Sequence, residues 1–146
     1  MRRVLASFAL VAAFAGGFAV RGIVPGEPIA RAQAAGRVFE LRTYTTNPGK
    51  LEALHTRFRD HTLRIFEKHG MQNVGYFRPM DAPLAENTLV YIIAHKSREA
   101  AKESWSAFGK DPEWQKVSAA SEANGRLLAK APESVFLTAA DYSPLK

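Results

Sequence analysis

The order of two kinds of hydrophobic periodicity constrains the fold of this chain more than any other feature of its sequence. Four segments alternate apolar and polar residues and are rich in β-branched and aromatic side chains, which predicts strands. These segments are residues 38–44, 73–78, 88–95 and 134–139. Between the first two, apolar residues recur at helical spacing over residues 51–69, and Gly70 is the expected C-cap of this first helix.

A second helical region is predicted between the third and fourth strands. Ser97 is a suitable N-cap for a helix that continues to Phe108. Asp111, followed by a proline, is a second N-cap, and the helix that it begins is predicted to reach about Lys130. Large side chains of this region are expected to pack in the core rather than to bind a cofactor. They are Trp105, Phe108, Trp114 and Val117.

The resulting order, βαββαβ, predicts an α+β, ferredoxin-like fold in which both helices pack on one face of a four-stranded antiparallel sheet. The other face, which we call the outer face, is then left uncovered. Because a large exposed apolar patch usually marks an interface or a ligand site, we expect two copies of the chain to pack sheet against sheet in a homodimer. Each chain contributes one domain, residues 35–146.

Alternation along a strand divides its side chains between the two faces of the sheet. We expect the more aliphatic set, which includes Phe39 and Ile92, to lie under the helices. The outer face then collects the charged and aromatic side chains, which become the candidate ligand-binding residues. These residues are Glu40, Arg42, Tyr44, Tyr76, Arg78, Tyr91 and His95.

Carboxylate, imidazole and phenol groups on a concave surface have the chemistry to exchange protons or to bind an enolate or another oxyanion. A structural interpretation competes with this one, because Glu40 and Arg42 can form a surface ion pair and tyrosines commonly pack at interfaces. Two functions therefore remain open. The first is the binding of a small, partly apolar molecule in the cavity between the two sheets of the dimer, with or without turnover of that molecule. The second is a non-catalytic protein-interaction or scaffold module.

Other kinds of site are disfavoured by spacing and charge. His55, His61 and His69 are six and eight residues apart, which is not the spacing of helical zinc ligands, and the chain has no cysteine. It also has no glycine-rich nucleotide loop, so we expect neither a metal nor another cofactor.

The net charge of +6 divides into +3 for residues 1–34 (four Arg, one Glu) and +3 for the rest, where acids alternate with bases. Nucleic-acid binding is therefore not expected.

Residues 1–34 have the organisation of a secretory signal peptide. Arg2 and Arg3 precede seventeen uncharged residues, and the segment ends in the small-residue pattern Ala-Gln-Ala at 32–34. The last of these alanines lies fourteen positions after the end of the apolar run. Because that distance is long, an uncleaved membrane anchor and an organellar transit peptide remain alternatives. We expect an exported protein, periplasmic or secreted, that contacts a membrane only through this segment if it is not cleaved.

Short motifs in residues 39–144 resemble those of the NIPSNAP family. In order, they are FELRTY at 39–44, PGK at 48–50, KHG at 68–70, VGY at 74–76, DPEW at 111–114 and YSP at 142–144. The resemblance implies a dimeric α/β-barrel of the ferredoxin-like class but no defined reaction. The wider superfamily includes cofactor-independent oxygenases and small isomerases, so any turnover in the barrel cavity is expected to be oxygenase-like or isomerase-like. The third strand, LVYIIAH at 89–95, lacks the His, Trp and final Tyr of the family pattern. This difference implies a cavity unlike that of other members.

Overall fold

The computed structural model describes residues 36–146, so the predicted signal peptide or anchor at residues 1–34 lies outside the described residues. The elements are, in chain order, β1 (Val38–Thr45), α1 (Leu51–Arg57, Phe58–Thr62 and Leu63–Lys68 in succession), β2 (Gln72–Phe77), α2 (Leu84–Asn87), β3 (Thr88–His95), α3 (Arg98–Lys110), α4 (Pro112–Ser121) and β4 (Glu133–Thr138). Within the described range, no helix combines the length and the apolar character needed to cross a membrane.

The four strands form one antiparallel sheet in the order β2-β3-β1-β4. In the central pair, Phe39 of β1 lies opposite Ala94 of β3, and Tyr44 lies opposite Leu89. Helices α1 and α3 pack over one face of this sheet, and α4 packs against these two helices. The α+β, ferredoxin-like prediction is therefore confirmed. Helix α2 was not predicted, because a single turn is too short to show a period.

Both predicted N-caps are confirmed. The Ser97 Oγ accepts a hydrogen bond from the Ala100 amide at 3.1 Å, at the start of α3. The Asp111 Oδ1 accepts one from the Glu113 amide at 2.8 Å, at the start of α4. Each side chain satisfies a backbone N–H that has no partner within its helix.

Helix α4 ends at Ser121, so the prediction that it reaches about Lys130 is wrong. Gly125 follows with a φ of 102°, which is left-handed backbone that favours glycine. The chain then runs beside the end of β1, where the Asn47 amide donates to the Leu127 carbonyl at 2.8 Å. Leu127 is buried in the core. These contacts join segments distant in sequence, and local periodicity carries no information about them.

Helix α1 contains a π-helical turn, Phe58–Thr62. The Thr62 hydroxyl donates to the Arg57 carbonyl, five residues earlier, at 3.1 Å. Such a turn accommodates one extra residue, and Leu54, Phe58 and Ile65 all remain buried toward the sheet. The turn therefore keeps the apolar face of α1 continuous along the core.

The two faces of the sheet carry the predicted sets of side chains, but their orientation is the reverse of the prediction. Tyr44 and Tyr91 lie under the helices, where the Phe58 ring packs edge to face against them at 5.8 and 5.2 Å between centroids. Glu40 and His95 lie on the same side and are 1% and 2% exposed. The prediction assumed that aliphatic residues face the helices. Large rings fill this space instead, because their polar tips find partners within it.

The outer face of the sheet is aliphatic. Leu41 lies opposite Ile92 on one side and Val135 on the other, so these residues form a row across three strands. Val135 and the neighbouring Leu137 are exposed. Residues 139–145 turn back over one corner of this face, beside Phe39. The greater part of the face remains uncovered by the described residues.

Candidate functional site

Glu40, in the middle of β1, is the centre of a buried polar cluster. Its Oε2 accepts hydrogen bonds from His95 Nε2 at 2.9 Å and from Trp105 Nε1 at 2.7 Å. Its Oε1 accepts from Arg42 Nη1 and from Ser134 Oγ, both at 2.6 Å. The donors come from three strands and from α3. One carboxylate therefore ties the sheet to the helix above it.

These hydrogen bonds set the protonation state of Glu40. Burial alone would raise the pKa of its carboxyl group, but the four donors, His95 first among them, outweigh that effect and lower the pKa to about 2. The group is ionised at neutral pH, and both of its oxygens accept two hydrogen bonds. Such a carboxylate has little capacity to take a proton from a substrate. Glu40 therefore acts by positioning its neighbours.

Arg42 is held between Glu40 and an indole ring. Its guanidinium carbon lies 4.2 Å from the Trp105 ring centroid and 5.6 Å from the Tyr44 centroid. Burial lowers the pKa of Arg42, but the two tyrosines and Glu40 raise it above its ordinary value, so the charge is retained. Its Nε–H is buried and has no hydrogen-bond partner among residues 36–146.

A pair of phenols extends the cluster toward α1. The Tyr91 O–H donates to the Tyr44 hydroxyl oxygen at 3.0 Å, and the Tyr76 ring stacks on Tyr91 with centroids 5.4 Å apart. Burial is the main cause that raises the pKa of Tyr91, and it also raises the pKa of Tyr76. Both phenols keep their protons at neutral pH. They therefore contribute as hydrogen-bonding groups rather than as bases.

Most of the predicted site residues meet in this cluster, although on the opposite side of the sheet from the one expected. Those that do are Glu40, Arg42, Tyr44, Tyr91 and His95, with Tyr76 joined through its stacking on Tyr91. Arg78 lies apart, because β2 ends before it, and its exposed side chain donates to the Ala85 carbonyl at 2.7 Å. The cluster is covered by helices. It does not line an open surface between two sheets.

An open groove of about 720 Å³ lies between α1 and α4. Its apolar walls are small side chains, Ala53 on α1 and Val117 and Ala120 on α4. The polar residues that line it are Thr56, Arg57, His61, Glu113, Lys116 and Ser121. A space of this size accommodates a small organic molecule.

Arg57 lies where the groove meets the buried cluster. The residue is only 5% exposed, and its Nη1 donates to Ser121 Oγ at 3.2 Å and lies 3.6 Å from a carboxylate oxygen of Glu122. Its guanidinium carbon is 5.1 Å from the Trp114 ring centroid. Burial lowers the pKa of Arg57, and nearby Tyr44 and Glu122 offset part of that effect. The Arg57 Nε–H has no partner in the described part of the chain.

Arg57 and Ser134 were not predicted as site residues, and Trp105 was expected only to pack in the core. The four-residue spacing of Arg57 and His61 on α1 is a signal that could have indicated a polar helix face. No local signal marks Ser134, because its hydrogen bond to Glu40 joins residues 94 positions apart. The Trp105 indole does pack in the core, but its N–H also completes the Glu40 cluster.

A second polar network connects α1 to the junction of α3 and α4. The Asp111 Oδ2 lies 2.7 Å from Lys68 Nζ and 2.7 Å from His69 Nε2. These contacts, Lys68 first, lower the pKa of Asp111 well below its usual range. Over residues 36–146, no group of three or more His, Asp or Glu side chains is arranged to hold a metal ion. The Asp111 carboxylate joins the end of α1 to the start of α4.

Comparisons with known proteins agree with the fold. The NIPSNAP family profile matches residues 39–144. A NIPSNAP family protein with unknown function from Agrobacterium tumefaciens is 26% identical, with a TM-score of 0.65 over 77% of this chain and 96% of that chain. An uncharacterised NIPSNAP-like domain protein from Burkholderia xenovorans is 21% identical, with a TM-score of 0.64 over 75% of this chain and 90% of that one. No match was found among curated proteins.

A more distant structure is SnoaB, a cofactor-independent oxygenase from Streptomyces nogalater. It is 17% identical, with a TM-score of 0.51 over 75% of this chain and 99% of that chain. At this identity the similarity shows a common fold and carries no reaction with it.

Proposed function

Since this chain belongs to the NIPSNAP family, whose fold by itself defines no reaction, we propose from its own side chains that it binds a small, partly apolar molecule in the groove between α1 and α4. The observation that carries this proposal is the groove itself. It offers about 720 Å³ between apolar helix walls, beside the buried guanidinium of Arg57.

Two features of the groove support binding. The π-helical turn of α1 borders it, and such turns occur frequently at functional sites. The second feature is the burial of Arg57, because a buried charge is costly unless it is well paired or has a ligand. Its acidic neighbour, Glu122, stands 3.6 Å away, and one of its own N–H groups has no partner among the described residues. A ligand in the groove would lie beside a charge that Glu122 compensates only in part.

The buried cluster gives no support to proton-transfer chemistry by Glu40 or Tyr91. Glu40 has a pKa of about 2, and burial raises the pKa of Tyr91 far from neutrality. A general acid or base works best when its pKa lies near the working pH, and neither group meets that condition. The proposal is therefore limited to binding.

Titration of the full chain with Nile red, a neutral dye that fluoresces in apolar surroundings, tests the proposal. Ala120→Trp places a large ring in the groove, so we expect saturable binding by the wild type and a loss of about tenfold or more in affinity for the variant. Ala119→Trp is the matched control, because Ala119 is exposed one position earlier on α4 and does not line the groove. Equal affinities for wild type and Ala120→Trp would contradict the proposal.

We also propose an interaction function for the outer face of the sheet, which is to pair with a second copy of the chain. Exposed or half-buried apolar side chains from all four strands support this proposal. They are Leu41, Phe77, Val90, Ile92, Val135 and Leu137. Phe77 and Val135 are each 54% exposed. A contiguous apolar patch of this kind usually marks an interface, and two identical patches satisfy the two-fold symmetry of a homodimer.

Sedimentation of the full chain at micromolar concentration measures the proposed dimer. Val135→Glu places a charge in the apolar row of β4 and should give a monomer, because an unpaired charge at an apolar interface is costly. Ser106→Glu, on the exposed surface of α3, should remain a dimer. A monomeric wild type would contradict the proposal without bearing on the groove.

A further inference from the structure

We propose that the groove between α1 and α4 selects ligands that carry a carboxylate, which binds Arg57 and Lys116 while the apolar part of the ligand lies against the alanine and valine walls. This inference rests on the proposed function and adds the chemical class of the ligand. It follows from the distribution of charge in the groove and from the unpaired donor of Arg57.

The relative direction of the two helices shows where the charges lie. Arg64 of α1 pairs with Glu113 of α4, with one of their contacts at 3.3 Å, whereas Arg57 contacts Ser121 at 3.2 Å. The earlier residue of α1 therefore meets the later residue of α4, so the helices are antiparallel. His61 precedes Arg64 by three residues, and Lys116 follows Glu113 by three. Both consequently lie one turn inside the Arg64–Glu113 pair, toward Arg57.

The charges along the groove are unevenly compensated. Glu113 forms its ion pair with Arg64, and that pairing lowers the pKa of Glu113. Glu122 faces Arg57 at 3.6 Å. Lys116 has no acidic partner within 4 Å among residues 36–146, and nor does His61. The middle of the groove is therefore positive, and an anionic group is the complementary ligand.

Arg57 contributes a donor with a fixed direction. Its Nη1 contacts Ser121 and Glu122, and the Trp114 ring lies near its guanidinium, so the group has little freedom to move. The Nε–H remains buried without a partner in the described residues. A carboxylate in the groove beside this guanidinium would recover interaction that Glu122, 3.6 Å away and partly exposed, supplies only in part. A neutral alcohol would recover less, because hydrogen bonds to charged acceptors are stronger.

The walls set the remaining chemistry of the ligand. Ala53, Val117 and Ala120 present methyl groups and no hydrogen-bonding side chains. The part of the ligand that lies against them is expected to be a short aliphatic chain or a small ring. A monocarboxylate of about eight carbons combines this apolar part with the required anion and is small enough for a pocket of this class.

Calorimetric titration of the full chain with octanoate and with octan-1-ol tests the inference. We expect octanoate to bind about tenfold more tightly than the alcohol. Lys116→Gln and Arg57→Lys should each remove most of that preference, the first by removing a charge and the second by replacing the planar guanidinium with a single ammonium group. Lys102→Gln, on the exposed side of α3, should keep it. Lys116 is exposed, so its variant is informative even if Arg57→Lys does not fold.

Several results would overturn the inference. Equal affinities for octanoate and octan-1-ol would do so while leaving the proposed function intact, provided that Nile red binding still depends on Ala120. A preference for octanoate that survives both groove substitutions would place the anion elsewhere. An equal loss in Lys102→Gln would indicate a general effect of net charge. Failure of the Nile red test would instead remove the proposed function and this inference with it.

Discussion

Replacing Glu40 by Gln tests whether one ionised carboxylate holds the sheet and α3 together. The pKa of Glu40 is about 2 in the folded protein, against an ordinary value of 4.5. Since one pKa unit corresponds to about 1.4 kcal/mol, the lowered pKa of Glu40 contributes about 3 kcal/mol to the free energy of unfolding at pH 7. The side chain is almost completely buried, so solvent screening reduces this value little.

The geometry of the cluster predicts a similar loss of unfolding free energy for Glu40→Gln. Glutamine has the same shape, but its NH₂ group would face two donors in either orientation, because each oxygen of Glu40 accepts two hydrogen bonds. The substitution also removes the charge that compensates Arg42. Breaking a buried ion pair from one side typically costs about 3–5 kcal/mol. We therefore expect Glu40→Gln to lower the free energy of unfolding at pH 7 by about 3–4 kcal/mol.

The effect should depend on pH in a defined direction. Because the folded-state pKa of Glu40 is depressed, its stabilisation is fully present above pH 4.5 and is lost as the pH falls toward 2. The difference between wild type and Glu40→Gln should therefore shrink to roughly 1.5 kcal/mol at pH 3. Urea unfolding followed by tryptophan fluorescence measures both values, since Trp105 itself contacts Glu40.

Glu103→Gln is the matched control, because Glu103 is an exposed glutamate on α3. It should change the unfolding free energy by less than about 0.5 kcal/mol at either pH. If Glu40→Gln is too unstable to titrate, Ser134→Ala removes a single donor and should cost about 1 kcal/mol. A loss below about 1 kcal/mol for Glu40→Gln at pH 7, or a difference that does not decrease in acid, would refute the assignment of Glu40 as the centre of the cluster.

Three further predictions concern other parts of the chain. Thr62→Val removes the hydrogen bond to the Arg57 carbonyl in the π-helical turn, so urea unfolding should show a loss of about 1 kcal/mol and Nile red titration a weaker affinity. Asp111→Asn should lower the thermal midpoint more at pH 7 than at pH 3, because the depressed pKa of Asp111 gives full stabilisation above the ordinary carboxyl pKa of 3.8 and less as the pH falls below it. N-terminal sequencing of the protein from its native host should begin near Ala35 if the chain is exported, and a soluble form that begins at Met1 would contradict export.

The strands could be predicted from the sequence because alternation is a local property. Residues 88–95 were predicted as a strand, and β3 has the same bounds, while the other strands differ by one residue at their ends. The face assignment failed for a different reason. Alternation groups Tyr44 with Glu40, but it does not say which group the helices cover. Here the rings of Phe58 and Phe66 pack against Tyr91. Which face the helices cover therefore depends on how large side chains fit between the sheet and the helices.

The sequence predicted which residues of the candidate site meet, but not how the helices pack around them. Glu40 and Arg42 share a face of β1, and strand pairing brings Tyr91 opposite Arg42, so these residues meet as expected. The groove could not be predicted, because it requires the antiparallel packing of α1 against α4. Helical spacing places Arg57 and His61 together, but it does not show which helix they face.

The two buried arginines near the tyrosine pair have different roles because their partners differ. Arg42 has Glu40 at 2.6 Å, a carboxylate that is nearly inaccessible to solvent and accepts three other hydrogen bonds. Its charge is compensated within the core, and a ligand there would have to displace an ion pair that stabilises the sheet. Arg57 has Glu122 at 3.6 Å, and that side chain is 33% exposed. A partner at this distance and exposure compensates the charge only in part. Each guanidinium keeps a buried Nε–H without a partner in the described residues, so the two arginines differ in their carboxylates. The close, buried Glu40 assigns Arg42 to stability, whereas the more distant and partly exposed Glu122 favours the ligand contact that we propose for Arg57.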